Sequence, residues 1–223
     1  MSAKKIIITA LILVGAIAVS VLIPLREVVS SVMTGMSDIP IFSVDTPVRC
    51  VALTMNLEAY INIEKLNEVL GNEKMTFFVG SYYENSYASD IIKLKKCGHS
   101  IGILERDMNS KSKKEVYTAL TDRLGNFTYM TSANADLVRF ESYDSACVKS
   151  TFDLDLFPVQ WSGNDTTEAF SNGDIILVKD IESLKKTIKR LKNSGFTLVT
   201  VDELIYRENF RISENGVQVQ NNN

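Results

Sequence analysis

From Arg49 onward the chain alternates short apolar, β-branched runs with segments of helical periodicity, and this alternation limits the fold more than any other feature. Arg49 to Thr54, Met75 to Val79, Leu137 to Phe140, Phe157 to Trp161, Asp174 to Val178 and Phe196 to Thr200 read as strands. Runs with no polar face are what parallel strands covered on both sides require. Between them, Ile63, Leu66, Val69 and Leu70 line a helix that Asn62 caps and Gly71-Asn72 stops. Tyr87 to Lys96, Lys113 to Leu124 (stopped by Gly125-Asn126) and Ile181 to Lys192 give further helices. The spacing predicts an α/β fold with a mainly parallel sheet, and in closed forms of that fold sites lie at the C-terminal ends of the strands.

The N-terminus carries the second strong signal. Lys4 and Lys5 precede an apolar run from Ile6 to Leu25, and a helix needs ~20 such residues to cross a bilayer. Ala16-Ile17-Ala18 has the small-residue pattern of a cleavage site. The apolar run nevertheless continues past it through Val21-Leu22-Ile23, which points to a retained anchor. The lysines ahead of the run place the N-terminus in the cytoplasm and the domain outside. The organisation expected is therefore a membrane anchor over residues 1–28, a juxtamembrane linker over 29–46, one domain over 47–207 and a disordered polar tail over 208–223. The 223 residues leave room for one domain with such appendages. A net charge of −3 with no basic stripe argues against nucleic acid. The lysines between Lys185 and Lys192 read as the solvated face of an amphipathic helix. Cys50, Cys97 and Cys147 are odd in number and widely spaced, so buried free thiols are expected.

The single histidine, His99, stands in Gly98-His99-Ser100-Ile101-Gly102. Ahead of it lie Val51-Ala-Leu-Thr-Met-Asn-Leu57 and Met75-Thr-Phe-Phe-Val-Gly80. Behind it come Arg139, Trp161 after an apolar strand, Gly173-Asp-Ile-Ile-Leu-Val-Lys-Asp180, and Gly195-Phe-Thr-Leu-Val-Thr-Val-Asp-Glu-Leu204. In this order, from about Val48 to Arg207, the chain resembles the polysaccharide deacetylases, the NodB-homology or family 4 carbohydrate esterases. The resemblance implies a distorted (β/α) barrel, here with an N-terminal transmembrane helix attached.

The resemblance also implies a chemistry that the residues here do not match. A divalent metal such as zinc, held by a carboxylate and two imidazoles, activates water for attack on an N-acetyl group. One aspartate takes the proton of that water and a histidine protonates the departing amine. Carried over, the base falls on Asn56 and the acid on Lys179. The metal ligands fall on Leu57, Leu104 and Met108. An amide is no base near neutral pH, leucine has no donor atom, and a thioether suits soft ions. No metal or other cofactor is therefore expected, and the three apolar residues are expected to plug the former metal pocket. Arg139 keeps the place of the arginine that pairs with the catalytic aspartate. With Asn56 opposite, Glu58, Glu141 or Asp180 must compensate its charge, or Arg139 must reach solvent. Trp161 and Leu177 match residues that wall the acetyl pocket, so Trp161, Leu177 and Arg139 are the candidate glycan contacts. The reading is a membrane-anchored, extracytoplasmic pseudoenzyme that holds an envelope glycan such as peptidoglycan or docks an envelope or sporulation protein. The alternative is a divergent metal-dependent deacetylase with a site rebuilt from Glu105, Asp107 or Asp180 with Lys179.

Overall fold

The computed structural model of the protein describes residues 38–221. The expected anchor and the first half of the linker lie outside the described residues. Among the described residues, no helix is long and apolar enough to cross a membrane.

Chain order begins with β1 (Ser43–Val44), β2 (Cys50–Leu57), α1 (Ile63–Leu70), β3 (Thr76–Gly80), α2 (Ser81–Lys96), β4 (Ser100–Glu105) and α3 (Lys113–Thr131). It continues with β5 (Leu137–Phe140), α4 (Ser145–Asp153), β6 (Phe157–Pro158), β7 (Gly163–Asn164), β8 (Ile175–Leu177) and α5 (Ile181–Asn193). Last come β9 (Thr197–Val199), α6 (Val201–Leu204), β10 (Phe210–Ile212) and β11 (Val217–Gln220). The main sheet is parallel throughout and runs β6-β5-β4-β3-β2-β8-β7, with β9 beside the start of β2.

Side-chain alternation sorts the sheet into two faces. Leu53, Met55 and Leu57 of β2, Val79 of β3 and Ile103 of β4 join the apolar layer that Leu66, Leu70, Ile91 and Leu120 bring from the helices. Ala52, Thr54 and Asn56 belong to the opposite, inner face. On that face Arg139 of β5 donates to Thr54 and Asn56 of β2, with β4 and β3 in between. Three strand spacings on a flat sheet are ~14 Å, farther than an arginine side chain extends. The contact exists because the sheet is curled into a half-barrel.

Helix limits follow packing more than local signals. Asn62 accepts from Lys65 N–H at 2.9 Å, the expected cap of α1. α2 starts six residues before the expected Tyr87 (Ser81 against Tyr87), and Tyr87 itself is the non-helical kink within it. α3 runs through Gly125-Asn126 because Phe127 and Thr131 are buried beyond them and Asn126 donates to Glu84.

Two expectations about the ends are corrected. Residues 38–46 are not a free linker. Ile41 N–H donates to the Pro158 carbonyl and its carbonyl accepts from Gln160, while Val44 N–H donates to the Gly173 carbonyl. The segment thus spans from the edge strand β6 to the foot of β8. Gly173, at φ +78°, leaves no room for a side chain, since a Cβ there would lie 1.7 Å from the Val44 carbonyl oxygen. Nor is the stretch beyond Glu208 a disordered tail: β10 and β11 form a hairpin, and β11 adds β1 as a parallel third strand. Phe210 and Ile212 are buried, with Phe210 beside Phe157, and Gln218 is buried and exchanges hydrogen bonds with the Tyr206 backbone. Apolar anchors and satisfied polar groups hold this segment, which its overall composition hides. Of the thiols, Cys50 and Cys147 are buried, whereas Cys97 is exposed at the end of α2.

Candidate active site

The C-terminal ends of the strands carry Asn56, Leu104 and Arg139, with Trp161, Leu177 and Lys179 following on the neighbouring segments. Arg139 organises this rim. Its side chain is wholly buried, yet among the described residues no carboxylate pairs with it. Nη1 and Nη2 each donate to Thr54 Oγ1 at 3.1 Å, and Nη1 donates to Asn56 Oδ1 at 3.0 Å. The carbonyls of Val159 and Gln160 accept the remaining two bonds at 3.3 Å. The guanidinium carbon lies 3.8 Å from the Phe78 ring centroid and 5.3 Å from that of Trp161. Burial pulls Arg139 down to about 9. The expectation that an acid or solvent compensates Arg139 is therefore corrected: neutral acceptors and aromatic faces do so.

The positions to which the resemblance assigns metal ligands, Leu57, Leu104 and Met108, do not come together as one plug. Leu57 and Met108 belong to the helix-facing apolar layer. Leu104 is buried but pairs with Arg139 and Gly80 in register, in the row beyond Asn56. These side chains do not fit zinc, and among the described residues no group of three or more His, Cys, Asp or Glu is placed to hold a metal ion.

The candidate acids and bases are scattered. Lys179 is exposed, with Nζ 3.9 Å from Asp165 Oδ2. Asp180 caps α5, accepting from Ser183 N–H at 2.7 Å, and that bond holds its carboxyl below the usual range. His99 precedes β4, at the opposite end of the sheet from Asn56. It is buried edge-on against Phe77, its Nδ1 accepts from Met75 N–H, and burial lowers it to about 4. It is a neutral core histidine.

Two clefts open on the rim. One, of about 430 Å³, is lined by Phe42, Tyr143 and Trp161 with Glu141, Ser142 and Gln160. The other, of about 360 Å³, is lined by Glu58, Ser81, Tyr82, Leu104, Glu105 and Asp107, with Gly80 and Arg106. Arg106 separates them: Nε donates to Glu58 at 2.9 Å and lies 3.6 Å from Glu141. Leu177 is half-buried opposite Thr54. The residues that sequence reasoning missed are Phe42, Tyr82, Tyr143 and Arg106, along with Arg123, which packs behind Glu105. Phe42 stood in the presumed linker, and the others carry no local pattern.

No family model matches the chain, and no curated protein matches it. Solved structures do. A family 4 carbohydrate esterase from Bacillus anthracis is 22% identical, with a TM-score of 0.66 over 76% of this chain and 88% of that one. PdaA of Bacillus subtilis, also a family 4 carbohydrate esterase, is 20% identical, with a TM-score of 0.65 over 78% of this chain and 87% of that one. The family 4 pseudoenzyme BA3943 from Bacillus anthracis is 16% identical, with a TM-score of 0.66 over 84% of this chain and 74% of that one. The fold is that of the polysaccharide deacetylases. Among the structures sharing it are both enzymes and a pseudoenzyme.

Proposed function

We propose that the protein is a non-catalytic relative of the deacetylases that holds an amino-sugar glycan of the cell envelope on its strand-end rim. The observation that carries this is Arg139. The side chain that in the resembling family serves a catalytic aspartate is here enclosed by Thr54, Asn56 and Phe78, with Trp161 laid beside it as one wall of an aromatic cleft. Aromatic side chains with convergent polar groups suit a sugar ring, with its apolar faces and hydroxyl edges. Asn56, Leu104 and Lys179 supply neither the base nor a ligand nor the acid that hydrolysis requires. The apolar run after Lys4 and Lys5 supports tethering at the membrane with the domain outside.

Calorimetric titration of the detergent-solubilised full chain with chito-oligosaccharides tests the reading. Weak saturable binding that Trp161→Ala abolishes is expected. Binding untouched by that substitution, or none at all, overturns it.

A further inference from the structure

The three aromatic walls of the Trp161 cleft, Phe42, Tyr143 and Trp161, come from three distant parts of the chain. Tyr143 and Trp161 follow strands of the main sheet, so the barrel itself places them. Phe42 lies on a strap, residues 41–44, outside that sheet, and other contacts fix it. On one side the strap joins the end of β6: Ile41 bridges Val159 in parallel register, and its carbonyl accepts from Gln160 N–H at 2.7 Å. On the other side it joins the terminal hairpin. There Phe42 N–H donates to the Gly216 carbonyl and Asp45 N–H to that of Gln218, both at 2.8 Å.

Ile41 and Val44 are buried and anchor the strap. Phe42 is only half-buried, so the packing of the strap does not account for its ring. The ring is nevertheless held. Gly216, at φ +74°, passes directly against it: a Cβ there would overlap Phe42 Cδ2 and lie 2.9 Å from the Pro40 carbonyl oxygen. Tyr143 meets the ring edge-on at a centroid distance of 6.4 Å. An aromatic ring fixed by its neighbours and left partly open to a cleft loses little freedom when a ligand covers it.

Resting on the glycan reading above, we infer that Phe42 contacts the glycan directly and that Gly216 is the residue that positions it. The apolar face of one sugar ring covers the Phe42 ring. The strap serves a second wall as well, because Gln160, whose N–H it holds, directly precedes Trp161. The cleft therefore binds only while residues 41–44 are seated on the terminal hairpin. By linkage, a glycan that binds the seated form alone also holds the strap down.

Calorimetry on the detergent-solubilised full chain measures binding of an N-acetylglucosamine tetramer, with a thermal melt of each variant to check folding. Phe42→Ala is expected to weaken binding about tenfold while the protein stays folded, since Ile41 and Val44 still anchor the strap. Phe42→Tyr, which keeps the ring, is expected to bind as the parent does. Gly216→Ala is expected to weaken binding in the parent and to add little in the Phe42→Ala background, as a residue acting through Phe42 must. Chymotrypsin cleavage after Phe42 in the parent is expected to slow when the tetramer is present. Undiminished affinity in Phe42→Ala, equal losses in Phe42→Ala and Phe42→Tyr, or cleavage unchanged by the bound tetramer overturns the inference and leaves the glycan reading in place. So does a Gly216→Ala loss that persists in full without the Phe42 ring. No binding by the parent overturns both.

Discussion

Replacing Asn56 with aspartate returns a counter-ion to a guanidinium that has none, and the gain can be worked out from the contacts. Burial pulls Arg139 well below the ordinary guanidinium range, to about 9. At 1.36 kcal/mol per unit this is a penalty of about 5 kcal/mol, which the neutral acceptors and the Phe78 ring offset. The Asn56 oxygen already sits 3.0 Å from Nη1. A carboxylate oxygen in that place turns a bond worth about 1 kcal/mol into one worth about 1.5–3 kcal/mol. Asn56→Asp is therefore expected to stabilise the fold by about 1–2 kcal/mol, or roughly 2–8 °C in Tm. The new carboxyl is held below its unfolded value near 3.9. The gain is accordingly present above about pH 4 and lost as pH falls through the folded value. Urea unfolding followed by the fluorescence of the sole tryptophan, Trp161, measures it. In an Arg139→Ala background the same change should destabilise, and the double-mutant cycle isolates the pair. An Asn56→Asp variant no more stable than the parent at pH 7, or a cycle without coupling, would refute the claim that Arg139 is a buried charge held without a counter-ion.

Gly173→Ala should prevent the segment 39–44 from seating, because its Cβ meets the Val44 carbonyl at 1.7 Å. The expected loss is several kcal/mol by urea unfolding, and near-wild-type stability would contradict the placement. Removing residues 208–223 should lower Tm and expose Phe157, read by limited proteolysis, whereas a disordered tail would leave both unchanged. His99 supplies a pH dependence. Its folded value of about 4 lies below the unfolded 6.5, so the unfolded state takes up the proton first. That stability is full above pH 6.5 and lost as pH falls toward 4, by about 3 kcal/mol in all. Glu105, raised to about 7, works in the opposite direction, favouring the fold below about 4.5 and losing that contribution as pH rises through 7. Glu105→Gln should therefore steepen the loss of stability on acidification, and an unchanged slope counts against the raised Glu105 value.

Much of the architecture was legible because parallel strands covered on both faces leave unbroken apolar runs, as in Val51 to Leu53 and Met75 to Val79. The Asn62 cap is local chemistry and was equally readable. Where tertiary contacts overrule local signals, the sequence misleads: Gly125-Asn126 looks like a stop, but Phe127 has a place in the core beyond it. The terminal hairpin did leave a trace in Asn215-Gly216, a turn pair flanked by Ile212 and Val217, hidden in a segment otherwise rich in polar residues. The order of landmarks marked the rim residues. It did not reveal that Leu57 turns to the helices while Asn56 faces Arg139, because alternation decides the face only once the strand's pairing is known. The Glu84–Arg123–Glu105 cluster joins α2, α3 and β4, and no pattern within any one element announces it.

Titrating zinc into the full chain by calorimetry, with acetate release from an N-acetylglucosamine tetramer followed in parallel, tests most directly whether this deacetylase fold binds without cutting. Neither micromolar zinc binding nor acetate release is expected, since Leu57, Leu104 and Met108 offer no oxygen or nitrogen donor. Stoichiometric tight binding with metal-dependent acetate release would contradict the pseudoenzyme reading and return catalysis to the rim.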